Sequence, residues 1–275
     1  MKIETKNTIY VILGLLIMLF LGSIYSYSVF RPTIESTYQI NSFLSGLPFM
    51  LVLFFYALMM VIGGFLLDKY NTKIVAYTGV VLITAGYLLA STANSIFVLT
   101  ISYGVLLGSG IGLLYGIPLR TVSMLSLSKK GFATGIVLMG FGLSSLAFAP
   151  IIEYALEHIG LSSTFLWFGI IYAVVLTLLI FFLTKGVEDP ITDVKFDISI
   201  VKETRFVGLY ILYVLATLIG LTMIGYTALW GINIVLLTAQ TSAVIVGLLA
   251  LFNGVGRPLF GHFADTIGIG RTAKI

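Results

Sequence analysis

The chain has 275 residues, of which 59% are hydrophobic and 9% are charged. A soluble domain carries about 25% charged residues, so this composition excludes a water-soluble globular protein and indicates a protein of the lipid bilayer. Cysteine is absent, which excludes disulfides and thiol chemistry. The net charge of +4 is interpreted as an excess of Lys and Arg in cytoplasmic loops, so no nucleic-acid partner is expected.

Apolar stretches long enough to cross a bilayer recur along the chain, since the hydrocarbon core requires about 20 residues per helix. They cover residues 8–30, 43–67, 74–93, 96–119, 132–152, 161–184, 206–229 and 241–264. The sequence therefore predicts an all-α integral membrane protein with eight transmembrane helices. The first stretch is interpreted as an uncleaved anchor rather than a signal peptide, because it is long and further spans follow it.

The basic residues between the spans predict which side of the membrane each loop occupies. With the N-terminus in the cytoplasm, Arg31 is the basic residue that falls outside. The inside then receives Lys2, Lys6, Lys69, Lys73, Arg120, Lys129, Lys130, Lys185, Lys195, Lys202, Arg205, Arg271 and Lys274. This asymmetry is the pattern of cytoplasmic loops, and it predicts a multi-pass protein of the cell membrane with a cytoplasmic N-terminus.

Two related clusters stand at the inner ends of the second and eighth helices. In "GGFLLDKYNTK" (63–73) and "GHFADTIGIGR" (261–271), glycine and aspartate keep a constant offset, from 64 to 261 and from 68 to 265. A fixed offset across six helices suggests a duplicated six-helix unit. We expect the glycines to allow close helix approach, and the carboxylates to pair with a base or to cap the N-terminus of the next helix. Asn71, at the place of Gly268, is expected to adopt the positive φ of a tight turn.

These clusters resemble the loop signature of the major facilitator superfamily, G-x-x-x-D-(R/K)-x-G-(R/K)-(R/K). The resemblance implies a gating role for Gly64, Asp68, Lys69 and Lys73 in the first copy, and for Gly261, Asp265 and Arg271 in the second. A finer resemblance is to the oxalate/formate antiporter family, and monocarboxylate transporters share much of it. It is carried by "YSYSVFRP" (25–32), "GSGIGLLYGIPL" (108–119), "KKGFATGIVLMGFG" (129–142) and "FNGVGRPLFGHFAD" (252–265).

Members of that superfamily have twelve helices in two halves, so the resemblance implies that eight of the twelve are present. Residues 1–184 are then the N-terminal six-helix half, residues 185–205 a cytoplasmic central loop, and residues 206–275 the first two helices of an incomplete second half. A fragment, a truncated gene product, and one half of a transporter completed by a second chain all remain open interpretations.

Arg257 is the informative charged residue, because it lies two helical turns before Asp265 and so about 12 Å into its span. An arginine at that depth costs about 2.5 kcal/mol or more unless it is paired or lines a wet cavity. One interpretation is a counter-charge for a carboxylate substrate, since the guanidinium fork suits carboxylates, and the resemblance implies the same role. The alternative is an arginine that reaches towards the inner surface or pairs with Asp265.

Other residues have two interpretations each. The glycine ladder of the fourth helix, Gly104, Gly108, Gly112 and Gly116, indicates close helix packing, with a sliding interface as the alternative. Tyr25 and Tyr27 fit an interfacial aromatic belt, whereas the resemblance implies that they and Tyr115 line a substrate cavity. Arg120 is interpreted as a positive-inside anchor or as a partner of Asp68.

Enzyme signatures are absent from the sequence, including G-x-x-x-x-G-K-[ST], H-E-x-x-H and G-x-S-x-G. We therefore expect no enzymatic activity, no cofactor and no metal. The leading hypothesis is a secondary transporter of small organic anions, such as oxalate, formate or monocarboxylates, that works by alternating access. A non-transporting membrane protein, either a sensor or an assembly partner, and an inactive transporter fragment are the alternatives. The expected partners are the bilayer and a small anionic substrate.

Overall fold

In a computed structural model the structure describes residues 2–125, 127, 129–185, 198–236 and 238–274, and the regular structure of these residues is helical. Within this part of the chain, six apolar helices are long enough to cross a membrane. They are Asn7–Tyr38, Ser42–Lys69, Thr72–Ser91, Ile96–Met124, Lys130–Thr184 and Thr204–Met223. The predicted all-α membrane architecture is confirmed.

Ten α-helices are assigned among the described residues. In chain order they are α1 (Lys2–Leu21), α2 (Tyr27–Tyr38), α3 (Ser42–Lys69), α4 (Thr72–Ser91), α5 (Ile96–Leu99), α6 (Gly108–Met124), α7 (Lys130–Thr184), α8 (Thr204–Asn233), α9 (Ala239–Ile267) and α10 (Ile269–Thr272). A 3-10 segment, Gly22–Ser26, joins α1 to α2, and a π-helical segment, Thr100–Leu107, joins α5 to α6. The first and fourth membrane spans are therefore interrupted helices.

The first span is longer than its apolar stretch predicts. It continues to Tyr38, so Arg31 lies within α2 rather than in a loop. The Arg31 guanidinium lies 3.8 Å from the Glu35 carboxylate one turn later and donates a 2.6 Å hydrogen bond to the Ser42 carbonyl of α3. Because both charged groups find partners beside the helix, they do not end it, and Gln39 ends it instead with a φ of 52°.

Helix α7 makes two passes rather than one. A straight helix of 55 residues would be about 80 Å long, whereas the hydrocarbon core is about 30 Å thick. Gly160 interrupts the helix with a φ of 75°, a conformation that glycine adopts without the penalty of a Cβ atom. The rings of Phe148 and Tyr172, on either side of it, have their centroids 6.2 Å apart, so the chain reverses at Gly160. Residues 130–159 are called the first arm of α7 and residues 161–184 the second arm.

The chain divides into two compact units, one of Met1–Thr192 with Asn253–Ile275 and one of Asp193–Phe252. The first unit contains the buried core, whose largest fully buried side chains include Tyr27, Tyr103 and Tyr172. In the second unit, the exposed side chains of α8 are mostly apolar, as expected for a helix surrounded by hydrocarbon. The division at 1–184, 185–205 and 206–275 stays a prediction, and residues 186–197 of the central loop lie outside the described residues.

Glycines of the fourth span lie against α3. A Cβ atom built on Gly104 would lie 2.8 Å from Leu51 Cβ, and one on Gly108 would lie 2.7 Å from the Val52 carbonyl oxygen. On Gly112 it would lie 2.5 Å from the Tyr56 carbonyl oxygen. These three positions therefore bring two backbones together, as the ladder predicts. Gly116, the fourth member, is 3.7 Å from Leu67 by the same measure and has ordinary packing.

The turn after α3 differs from the prediction at Asn71. This residue has a φ of −57°, so the positive φ expected by analogy with glycine is wrong. Its side-chain oxygen instead accepts a 2.9 Å hydrogen bond from the Lys73 amide and caps the N-terminus of α4. Gly268, its counterpart after α9, does have a positive φ, of 86°.

Candidate functional site

A cluster of aromatic rings surrounds Phe141 on the first arm of α7. The ring of Tyr25 meets it edge-on with centroids 5.1 Å apart, and the ring of Tyr115 does so at 5.4 Å. Tyr56 of α3 stacks on the same ring at 5.9 Å and lies 5.3 Å from Tyr115. The structure thus brings together two of the predicted site residues, Tyr25 and Tyr115. We call Tyr25, Tyr56, Tyr115 and Phe141 the aromatic cluster.

Sequence reasoning missed two members of the aromatic cluster. Tyr56 and Phe141 lie within apolar runs that contain many aromatic residues, and no local signal separates them from core residues. A Tyr in the middle of an apolar span, where its hydroxyl needs a partner, is the signal that could have indicated Tyr56. Phe141 is buried at 2% exposure and forms the centre of the cluster, while the three tyrosines are half-buried.

Tyr27 lies apart from the aromatic cluster, in the core of the first unit. It is 1% exposed, and its ring packs against Phe49 at 5.8 Å and Tyr103 at 5.0 Å. Its hydroxyl donates a 2.8 Å hydrogen bond to the Ser45 carbonyl near the N-terminus of α3. These contacts join the first membrane span to the second. A role for Tyr27 in substrate binding stays a prediction.

Arg257 of α9 lies against the first arm of α7. Its Nη1 atom donates a 2.9 Å hydrogen bond to the Leu138 carbonyl, and the side chain is half-buried. The ion pairs among the described residues join Arg31 to Glu35 and Arg120 to Asp68, so Arg257 has no carboxylate partner within this part of the chain. The guanidinium therefore keeps its positive charge uncompensated by the described residues.

Asp265 is not the partner of Arg257, because it binds the N-terminus of α7. Its two carboxylate oxygens accept hydrogen bonds from the backbone amides of Gly131, at 2.9 Å, and Phe132, at 2.8 Å. The first amides of a helix lack partners within the helix, and the helix dipole favours a negative charge there. The prediction was a cap on the next helix, whereas the carboxylate caps α7, which lies 134 positions earlier in the chain.

Close backbone packing places α9 on the first arm of α7. A Cβ atom on Gly135 would lie 2.5 Å from the Arg257 carbonyl oxygen, and one on Gly142 would lie 2.8 Å from Gly254 Cα. Leu138, which accepts the hydrogen bond from Arg257, is about one helical turn from Phe141. The cationic group and the aromatic cluster therefore share one short stretch of α7.

Asp68, in the first of the two repeated clusters, pairs with a base. Its Oδ1 accepts a 2.9 Å hydrogen bond from Arg120 Nη1 of α6, which decides between the two interpretations of Arg120 in favour of the pair. The aspartate side chain is 47% exposed, so this ion pair is worth about 1 kcal/mol or less. Asp68 and Arg120 also line an open cleft of 630 Å³ with Gly64 and Thr134.

Of the other predicted gating residues, Gly261 packs on the backbone of Gly131, and the rest lie at the surface. Gly64 has no atom within 4 Å of a Cβ built on it, so the expected close helix approach at this glycine is not met by the described residues. Lys69 and Lys73 are exposed, and Lys69 Nζ lies 5.9 Å from the centroid of the Tyr70 ring. Arg271 is exposed on α10. Among the described residues no cluster of His, Cys, Asp or Glu could hold a metal ion.

The helical fold carries the two repeated glycine–aspartate clusters, at the ends of α3 and α9, and the half-buried Arg257. The family model of the Major Facilitator Superfamily matches residues 12–275, and the chain belongs to this family. The predicted resemblance is thereby confirmed.

Its relatives carry transporter names. The oxalate:formate antiporter of Oxalobacter formigenes is 28% identical over 220 residues, covering 78% of this chain and 52% of the relative. The MFS-type transporter YhjX of Escherichia coli (strain K12) is 25% identical over 257 residues, covering 90% of this chain and 63% of the relative. Monocarboxylate transporter 13 of Bos taurus is 38% identical over 97 residues, covering 35% of this chain and 23% of the relative. The chain thus spans between about half and two thirds of the length of the first two relatives.

Solved structures show the same fold. A mutant of the peptide transporter POT in complex with sulfate aligns with a TM-score of 0.54 at 18% identity, covering 86% of this chain and 49% of that one. The same transporter in complex with alafosfalin aligns with a TM-score of 0.53 at 17% identity, covering 95% of this chain and 67% of that one. At these identities the likeness concerns the fold alone.

Proposed function

We propose that this protein is a secondary transporter of small organic anions, namely carboxylates such as oxalate, formate or monocarboxylates. The observation that carries the proposal is Arg257, a half-buried guanidinium on an apolar helix whose described protein contact is a single backbone carbonyl, that of Leu138. The names of the relatives, an oxalate:formate antiporter and monocarboxylate transporters, support the same substrate class.

The chemistry of Arg257 suits a carboxylate ligand. One N–H group is used by Leu138, and the remaining N–H groups have no hydrogen-bond partner among the described residues. A guanidinium presents these donors in a planar fork that matches two carboxylate oxygens, and such charge-assisted bonds are about twice as strong as neutral ones. Half-burial strengthens the attraction further, because water screens the charges less than at the surface.

The aromatic cluster would supply the apolar wall of the site. Tyr25, Tyr56 and Tyr115 present rings and hydroxyl groups from three different membrane spans. Ligand sites combine such apolar surface with a few polar groups that fix the orientation of the ligand. The small size of a formate or an oxalate fits a site in which one cation provides most of the recognition.

Alternating access is the proposed mechanism, with the two repeated clusters acting on the inner side. The pair of Asp68 with Arg120 and the contact of Asp265 with the α7 N-terminus would hold helices together in one state and separate in the other. Each contact is of a size that binding energy can break, since exposed ion pairs and helix caps contribute about 0.5–2 kcal/mol.

The Lys and Arg distribution supports a cytoplasmic N-terminus and a location in the cell membrane. A second chain that supplies further helices is a proposed partner, consistent with the greater length of the relatives.

Uptake into proteoliposomes tests the proposal. Purified protein is reconstituted, loaded with unlabelled oxalate or formate, and exposed to the radiolabelled anion outside. We expect labelled anion to accumulate faster than in protein-free liposomes, and unlabelled carboxylates to compete with it. Binding of a carboxylate without uptake would support a sensor instead, and the absence of both binding and uptake would contradict the proposed substrate class.

A further inference from the structure

The junction between α1 and the 3-10 segment changes the hydrogen-bond pattern of the backbone. In an α-helix each carbonyl accepts from the amide four residues later, whereas in a 3-10 helix the amide bonds three residues back. Helix α1 ends at Leu21 and the 3-10 segment begins at Gly22. The carbonyls of Leu19 and Phe20 lie just before this change, where the backbone hydrogen-bond pattern shifts by one residue.

Side chains from both arms of α7 bind these two carbonyls. Ser144 Oγ, on the first arm, donates a 2.6 Å hydrogen bond to the Leu19 carbonyl. The Tyr172 hydroxyl, on the second arm, lies 3.1 Å from the Phe20 carbonyl and 2.6 Å from Ser23 Oγ inside the 3-10 segment. Ser144 and Tyr172 are 0% and 1% exposed, so water cannot replace either donor. The interruption of the helix is thus stabilised by two buried hydroxyl groups.

The same segment carries Tyr25 to the aromatic cluster. Gly22 lies directly on the first arm, since a Cβ atom there would be 2.5 Å from the Phe141 carbonyl oxygen. Tyr25, within the 3-10 segment, then places its ring edge-on against the Phe141 ring at 5.1 Å. A continuous α-helix advances 100° per residue and a 3-10 helix about 120°, so removing the interruption would turn the Tyr25 side chain away from its present direction.

We propose that Ser144 and Tyr172 are positioning residues that hold the 3-10 interruption of the first span and thereby set the ring of Tyr25 in the aromatic cluster. The effect of this positioning on substrate affinity rests on the proposed function. The positioning itself does not, because it concerns the place of one ring.

The test measures the ring of Tyr25 and the transport kinetics separately. Tyr25 is labelled site-specifically as 3-fluorotyrosine, and the ¹⁹F resonance is recorded in the unmodified background and in Ser144→Ala and Tyr172→Phe. Matched controls remove buried or half-buried hydroxyls that bond other carbonyls. Ser102→Ala removes a 2.8 Å bond to the Val98 carbonyl, and Tyr38→Phe removes a 2.9 Å bond to the Ala93 carbonyl.

We expect the ¹⁹F resonance to shift or split in Ser144→Ala and Tyr172→Phe and to stay in place in both controls. We also expect KM for the transported anion to rise roughly two- to tenfold in the same two variants, with a smaller change in the maximal rate. An unchanged resonance in both variants, or an equal shift in the controls, would overturn the positioning role. A shifted resonance in a protein that transports no carboxylate would support the positioning and contradict the proposed function.

Discussion

The role proposed for Arg257 follows from its charge and from the few polar contacts that surround it. In an apolar span an arginine costs about 2.5 kcal/mol or more, unless its charge is compensated. The described contacts compensate it with one carbonyl, and Asp265, the nearest predicted partner along the helix, is occupied by the amides of Gly131 and Phe132. A ligand that brings its own negative charge would complete the site.

Replacement of Arg257 by Gln is expected to lower carboxylate uptake roughly ten- to hundredfold, the size of a lost hydrogen bond to a charged group. The uptake rate of Arg257→Lys is expected to lie between those of the unmodified protein and Arg257→Gln, because lysine keeps the charge but lacks the planar fork. The measurement is the initial rate of radiolabelled oxalate or formate uptake into proteoliposomes.

Arg205→Gln is the matched control for Arg257, since it removes the same charge from an exposed position at the start of α8. Its uptake should equal that of the unmodified protein. Equal uptake by Arg257→Gln and Arg205→Gln would contradict the proposed anion-binding role of Arg257.

Gly112 and Gly116, two members of the glycine ladder in the fourth membrane span, are expected to respond differently to substitution by alanine. Gly112→Ala is expected to destabilise the protein by about 1–3 kcal/mol, because its Cβ would lie 2.5 Å from the Tyr56 carbonyl oxygen. Gly116→Ala should be neutral or slightly stabilising, since its nearest neighbour lies 3.7 Å away and alanine is the better helix former. Thermal unfolding in detergent compares the two. A lower Tm for Gly116→Ala than for Gly112→Ala would contradict the packing described here.

Among the helices, the α7–α9 contact shows why an acidic residue recurs at the end of a span. Asp265 binds the amides that begin α7, so one carboxylate both satisfies two unpaired donors and meets the positive end of a helix dipole. Asp68 occupies the matching place in the first cluster and bonds to Arg120 at 2.9 Å. The repeat in the sequence therefore corresponds to two carboxylates, each with a definite partner.

Asp68→Asn is expected to lower the maximal transport rate more than the substrate affinity, because the pair joins α3 to α6 and so acts on helix association. The expected loss of rate is roughly two- to fivefold, the energy of an exposed ion pair. The measurement is the dependence of uptake rate on substrate concentration. Glu157→Gln, which removes an exposed acidic group that has no described ion pair, is the control. A raised KM with an unchanged maximal rate would contradict the proposed gating role of Asp68.

Most spans could be read from the sequence, because about 20 consecutive apolar residues have few alternatives to a membrane helix. The predicted stretch 241–264 is not among the six candidate membrane helices of the described residues. The end of the first span could not be read from the sequence. Arg31 and Glu35 look like the start of a loop until their contact with each other and with Ser42 of α3 is known. Local sequence does not contain such long-range partners, and the same holds for the aromatic partners of Tyr25.

Asn71 and Gly268 show a second limit of sequence reasoning. Both residues follow an aspartate at the same spacing, yet one caps a helix with a negative φ and the other adopts a positive φ. An asparagine is suited to either conformation, so its type alone does not decide between them. At Asn71 the deciding contact is the hydrogen bond that the Lys73 amide donates to its side-chain oxygen.

At the scale of the whole molecule, the distribution of basic residues predicts the orientation in the membrane. The chain contains no cysteine, so each introduced cysteine is the sole thiol of its variant. Asn94→Cys, in the exposed turn after α4, should react with a membrane-impermeant maleimide on intact cells. Lys129→Cys, exposed just before α7, should react only after the membrane is permeabilised. The reverse labelling pattern would invert the proposed orientation.

The contact of Asp265 with Gly131 joins residues that are 134 positions apart. Ribosomes add about 5–20 residues per second, so on the order of ten seconds separate the synthesis of the two partners. During that interval the first amides of α7 lack the carboxylate that later binds them, and because the contact is exposed, water can take its place. The N-terminus of α7 therefore acquires this cap only after residue 265 has been synthesised.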